Sequence, residues 1–181
     1  MSYERAHGDA GLGGISGVVS SLPVGYTLGE ERLFEGIWYR LMYNAGNSQA
    51  NPGLVVAPLG VGGPFSGTIT TTSDGGQGYG AVVVKHATAT TGTYFWGAFK
   101  GYPVKVQGGT ASIATGGDFM IAVDGAVSTH TTAATATVIG QRETRVLVGR
   151  NMGQTSAATI TTLTASGDCY IDFPTIVGAV R

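Results

Sequence analysis

The chain has 181 residues, a formal net charge of −1 at pH 7, 12% charged residues and 31 glycines. Glycine at more than twice its usual share of about 7% marks a turn-rich chain, and the lack of a strict triplet period excludes collagen. The near-neutral balance argues against a nucleic-acid or acidic-membrane partner, and a lone cysteine excludes an intramolecular disulfide framework.

Residues 1–25 follow neither a helical nor a strand period, are broken by glycine, and close at Leu22-Pro23-Val24-Gly25. This reads as an extended N-terminal arm, with plain terminal disorder as the alternative. Residues 26–181 read as one β-barrel domain. From Glu30 to Tyr43 the aromatic and apolar residues, with Gly36 among them, indicate a strand or hairpin, with Leu33, Glu35, Ile37, Tyr39, Leu41 and Tyr43 on one side of a strand. Asn51-Pro52-Gly53 has Pro and Gly where a type II turn needs them, and Leu54–Ala57 follows as a short strand stopped by Pro58. Residues 59–85, with Gly clusters around Gly67–Thr72, read as an inserted ribbon that ends in the run Ala81–Lys85.

Further apolar runs occur at Thr93–Phe99, Tyr102–Val106, Asp118–Val123, Ala136–Gly140, Thr144–Val148 and Cys169–Phe173. Lys100-Gly101, Gly116-Gly117, Asp124-Gly125 and Gly167-Asp168 punctuate them as hairpin or loop signals. Ala/Thr-rich pieces at 127–137 and 155–166 read as long loops or weak edge strands. The expected fold is all-β, a small antiparallel barrel or sandwich with long Gly/Thr-rich loops. No run approaches the roughly 18 apolar residues of a membrane helix, and no secretory leader is visible, so the chain reads as soluble and made in a cytoplasm.

Little in the chain points to chemistry. His7, His86 and His130 have no ligand at metal-binding spacing, and the Gly-rich segment at 11–17 lacks the Lys-Ser/Thr end of a phosphate loop. Gly63-Pro64-Phe65-Ser66-Gly67 has the wrong spacing for a nucleophile elbow, and a Ser66–His86 pairing is of the kind that arises by chance. Asp-Gly loops at 74–76 and 124–125 leave room for loop-bound calcium. Cys169, in an apolar alternation, reads as core. The expectation is therefore no enzyme, no cofactor, no metal and no catalytic residue. The aromatic residues Trp38, Tyr94, Phe95, Trp96 and Phe99 are candidates for core or subunit contact. Strand 94–99 is apolar on both faces, which suggests core on one and contact on the other.

The order of segments resembles a known family. Leu33–Asn47, then Ala50–Val56, then Gly92–Val106 with its tryptophan, then Gly116–Val127, Val138–Gln141 and a closing strand at 169–173 resemble the small decoration (cement) proteins of tailed-bacteriophage capsids. The resemblance implies a virion structural protein on the capsid exterior, often a homotrimer, whose partners are the major capsid protein and its own copies. The arm and the 59–85 ribbon exceed a minimal decoration domain. A receptor-binding or fibre-tip domain of a phage particle is the alternative.

Overall fold

The structure is a computed structural model that describes residues 16–22, 24–58, 63, 65–69, 80–108, 118–121, 126–129, 149–151 and 166–173. Among these residues there are eleven strands and no α-helix. The strands are β1 (Val18–Val19), β2 (Glu31–Phe34), β3 (Ile37–Asn44), β4 (Val55–Pro58), β5 (Ser66–Ile69), β6 (Val82–Val84), β7 (Tyr94–Gln107), β8 (Asp118–Ile121), β9 (Val127–Thr129), β10 (Gly149–Asn151) and β11 (Ser166–Asp172).

The sheet runs β2-β3-β5-β4-β6-β7-β11-β10-β8-β9, and an additional β3–β7 pairing joins its middle to itself. Strands β3, β5, β4, β6 and β7 therefore form a closed ring, and the fold is an all-β barrel. The ring is not wholly antiparallel, because β3 and β5 run parallel. Geometry requires this: five strands cannot alternate direction all the way round a closed ring, so at least one neighbouring pair must run the same way.

The β2–β3 hairpin is closed by Glu35 (φ 49°) and Gly36 (φ 79°), two consecutive positive φ values that define a type I′ turn whose twist matches the strands. The turn pairs Phe34 with Ile37 and Leu33 with Trp38. Leu33 consequently shares a face with Trp38 rather than with Ile37 and Tyr39, as a single uninterrupted strand would have it. At Asn51-Pro52-Gly53 the Leu54 amide donates to the Asn51 carbonyl at 3.0 Å with Gly53 at φ 94°, the type II arrangement.

Three sequence expectations need correction. Lys100-Gly101 is not a turn, since β7 continues through it for 14 residues. Lys100 bridges Trp38 on one neighbour and Asp172 on the other. Gly101, at φ 127°, is needed because a Cβ there would lie 2.8 Å from the Gly36 carbonyl oxygen, so the glycine serves a close crossing with the hairpin turn. Nor is 59–85 an insertion on a finished barrel. β5 lies between β3 and β4, and β6 lies between β4 and β7, so both complete the ring. Finally, the sheet begins inside the segment read as an arm. Val18 and Val19 pair with Phe95 and Tyr94, and Val18, Val19 and Leu22 pack against the core. The expected strands at 136–140 and 144–148, the loop tip at 74–76 and residues 1–15 lie outside the described residues, whereas Asp118–Ile121 and Val127–Thr129 do form a hairpin.

The register sorts the side chains of the ring into two sets. Tyr39, Leu41, Trp96, Ala98, Val83, Val55 and Ala57 project from one face, and Arg40, Met42, Phe95, Phe99, Val82 and Val56 from the other. Both sets are buried. Strands covered on both faces explain the near-continuous apolar runs at 82–84 and 94–99.

Candidate functional site

Of the five aromatic candidates, Phe95, Trp96 and Phe99 are core residues. Tyr94 is half-buried, with its ring tilted against Tyr43 at a centroid distance of 4.9 Å. Both faces of strand 94–99 are thus covered by this chain's own residues, which overturns the expected contact face there. Part of the cover is a cation–π stack in which the Arg32 guanidinium lies 4.8 Å from the Tyr26 ring and 4.9 Å from the Trp96 ring. Only Trp38 reaches the surface, at 38% exposure.

Trp38 stands in a row across four strands. Leu33 of β2 is opposite Trp38 of β3, Trp38 is opposite Lys100 of β7, and Lys100 is opposite Asp172 of β11. All four are exposed, and Lys100 forms a 3.5 Å ion pair with Asp172. Phe34, beside the hairpin turn, adds a further exposed ring. The hairpin thus offers Leu33 and Trp38 on one face and Phe34 on the other. The sequence alone does not mark Leu33 or Phe34 as exposed, because that depends on the two-residue turn that reverses the phase between β2 and β3. The dipeptide Glu35-Gly36 between two apolar runs is the signal that carries this information.

A buried cation anchors the hairpin. Arg40 is fully buried and donates from both Nε and Nη2 to Glu31 Oε1, at 3.1 and 2.7 Å. Its guanidinium carbon lies 4.2 Å from the centre of the Phe99 ring, and among the described residues its Nη1 has no hydrogen-bond partner.

The titratable groups that do converge are Tyr39, Lys85 and His86. The Tyr39 hydroxyl and His86 Nε2 are 3.3 Å apart, the two rings stack at 5.8 Å, and the Lys85 ammonium lies 5.7 Å from the Tyr39 ring. Burial, reinforced by the Glu35 charge, pushes the Tyr39 phenol up to about 12. Burial and the neighbouring Lys85 charge hold His86 below its ordinary value, and burial also lowers Lys85. This arrangement keeps the phenol protonated and the imidazole neutral at pH 7. Ser66 is buried in β5 beside Tyr43, and the partner of His86 is Tyr39. The buried Cys169 thiol is likewise pushed up to about 12, chiefly by burial. Among the described residues no group of three or more His, Cys, Asp or Glu side chains is placed to hold a metal ion.

A pH dependence follows from Tyr39. The phenol is raised in the folded state, so its contribution is complete below the ordinary value near 10 and is lost as pH rises toward 12. Urea midpoints should fall between pH 10 and 12 by an amount equivalent to about 2 kcal/mol, and Tyr39→Phe should flatten that fall. An identical slope in the variant would assign the alkaline loss to other groups.

Compared with protein-family models, curated proteins and solved structures, the chain matches none.

Proposed function

We propose that this chain is a structural protein of a tailed-phage virion, a decoration (cement) protein that binds the outer surface of the head and ties neighbouring major capsid subunits together. The observation that carries this reading is the β2–β3 hairpin, which exposes Leu33, Phe34 and Trp38 on a base pinned by the buried Arg40. Exposed apolar side chains on a rigid edge fit protein attachment. The low charge and the all-β barrel suit close contact with a lattice, and the segment order along the chain supports the same family. On this reading the protein acts as a homotrimer with the major capsid protein as partner, on the capsid exterior, with neither cofactor nor catalysis.

The test is addition of purified protein to heads that lack it. Evenly spaced density over the shell in particle images, and a trimeric mass by light scattering, are the expected results. A monomer that ignores heads would overturn the proposal. The contribution of the N-terminal segment is tested by deleting residues 1–15, since a cut at 25 would also remove β1 and Leu22 from the core. The shorter deletion should leave the protein folded and oligomeric but reduce its capsid occupancy. A second reading, a receptor-binding or fibre-tip domain, draws on the exposed row of Trp38, Lys100 and Asp172, in which an aromatic ring adjoins a donor and an acceptor. Density confined to the tail or vertices would favour it.

A further inference from the structure

Strand β2 ends the sheet, and among the described residues no strand pairs with its outer edge. The hydrogen-bond phase identifies which groups point outward. Leu41 donates its amide to the Glu30 carbonyl, and the I′ turn closes on the Phe34–Ile37 pair. Alternation along an antiparallel ladder then turns the amides and carbonyls of Arg32 and Phe34 inward to β3, and those of Glu31 and Leu33 outward. Around these outward groups the side chains are apolar and acidic. Leu33 is 57% exposed and Phe34 is 46% exposed. Both nitrogens that Arg40 directs to Glu31 bond Oε1, so that among the described residues Oε2 has no bond from Arg40, and Glu35 occupies the first turn position, with its charge felt by Tyr39, Lys85 and His86.

We infer that the outer edge of β2 is a strand-addition site for an extended segment of another protein, carrying Lys or Arg opposite Glu31 and Glu35 and an apolar residue against Leu33. Strand addition satisfies the outward Glu31 and Leu33 groups, and alternate side chains set selectivity. A second copy of the same edge fits poorly. The antiparallel registers that bond outward groups to outward groups are centred on residue 31, 32 or 33. They oppose Glu31 to Glu31, Arg32 to Arg32, or Glu31 to the neighbour's Glu35; each copy's Arg40 and Glu30 offset part of these charges, and the remaining like charges directly opposite still disfavour the ladder. The occupant is therefore a separate, basic and apolar strand. The inference concerns the edge itself and stands apart from the location of the protein on a virion.

The experiment uses the full chain labelled with nitrogen-15 and two peptide probes, one alternating Lys and Val, the other alternating Glu and Val. The Lys/Val peptide should shift the Glu31 and Leu33 amides and bind about tenfold more tightly than the Glu/Val peptide, with the difference shrinking at high salt. Leu33→Pro removes an outward amide that β3 does not use, and should abolish the shifts at the Glu31, Arg32 and Phe34 amides. Should that variant fail to fold, Glu35→Lys serves instead, since it offsets the Glu31 charge and should erase the peptide preference that the unaltered chain shows. Equal binding of the two peptides, shifts centred on other strands, or β2 amides that move on dilution of the protein alone would each overturn the inference.

Discussion

Phe95→Ala should lower the free energy of unfolding by about 3–5 kcal/mol, whereas Trp38→Ala should lower it by less than about 1 kcal/mol. Phe95 is 1% exposed, near the start of β7, where that strand is flanked by β1 and β3, and its side chain lies on the face that also carries Met42, Phe99 and Val82. Truncation there leaves a cavity in a layer whose backbone is held on both sides. Trp38 is 38% exposed and stands opposite Leu33, itself exposed, across the hairpin, so its truncation opens no enclosed cavity. Chemical denaturation of the two variants checks the contrast directly. Comparable losses would mean that Trp38 belongs to the core, and would remove the surface on which the proposed attachment depends.

The Glu31–Arg40 pair should respond asymmetrically. Glu31→Ala leaves a fully buried guanidinium without its counter-charge, and should cost about 3 kcal/mol. Arg40→Met should cost far less, within about 1 kcal/mol, because it removes both the desolvated charge and the unpartnered Nη1 donor while keeping a flexible chain against Phe99. In the double variant Glu31→Ala/Arg40→Met the loss should fall back toward that of Arg40→Met. The measurement is a double-mutant cycle by urea denaturation. Equal losses from the two single variants would mean that the arginine contributes through its packing rather than its charge. Either result bears on attachment, since Arg40 fastens the strand that exposes Leu33 and Phe34.

Much of the local structure was legible. The Pro-Gly turn at 52–53, the strand or hairpin over Glu30–Tyr43, the run Ala81–Lys85 and the closing strand at 169–173 all show as patterns within a few residues, and the structure has strands at Glu31–Phe34 with Ile37–Asn44, Val82–Val84 and Ser166–Asp172, because turn chemistry and strand alternation are local properties. The candidate surface was less legible. Five aromatic residues looked alike along the chain, yet three are core, one is half-buried and one is exposed. Side-chain alternation separates the two faces of a strand, but it does not say how many of those faces are covered. Lys100-Gly101 misleads for a similar reason: a glycine that admits a neighbouring backbone has the same letter as one that makes a turn.

By itself, the sequence determined the class. Short apolar runs divided by Gly-centred turns, a scarcity of charge and a lone cysteine sufficed for an all-β domain. Tertiary structure alone decided that β5 and β6 close the ring rather than decorate it, and that β3 and β5 run parallel. It also placed Val18 and Val19 on the barrel, and left Leu33, Phe34 and Trp38 as its apolar edge. The physical reason is that pairing joins segments far apart in the chain, such as Tyr43 with Ser66 and Trp38 with Lys100. Which strand neighbours which is selected by the total area buried when the ring closes, and no window of the sequence contains that sum.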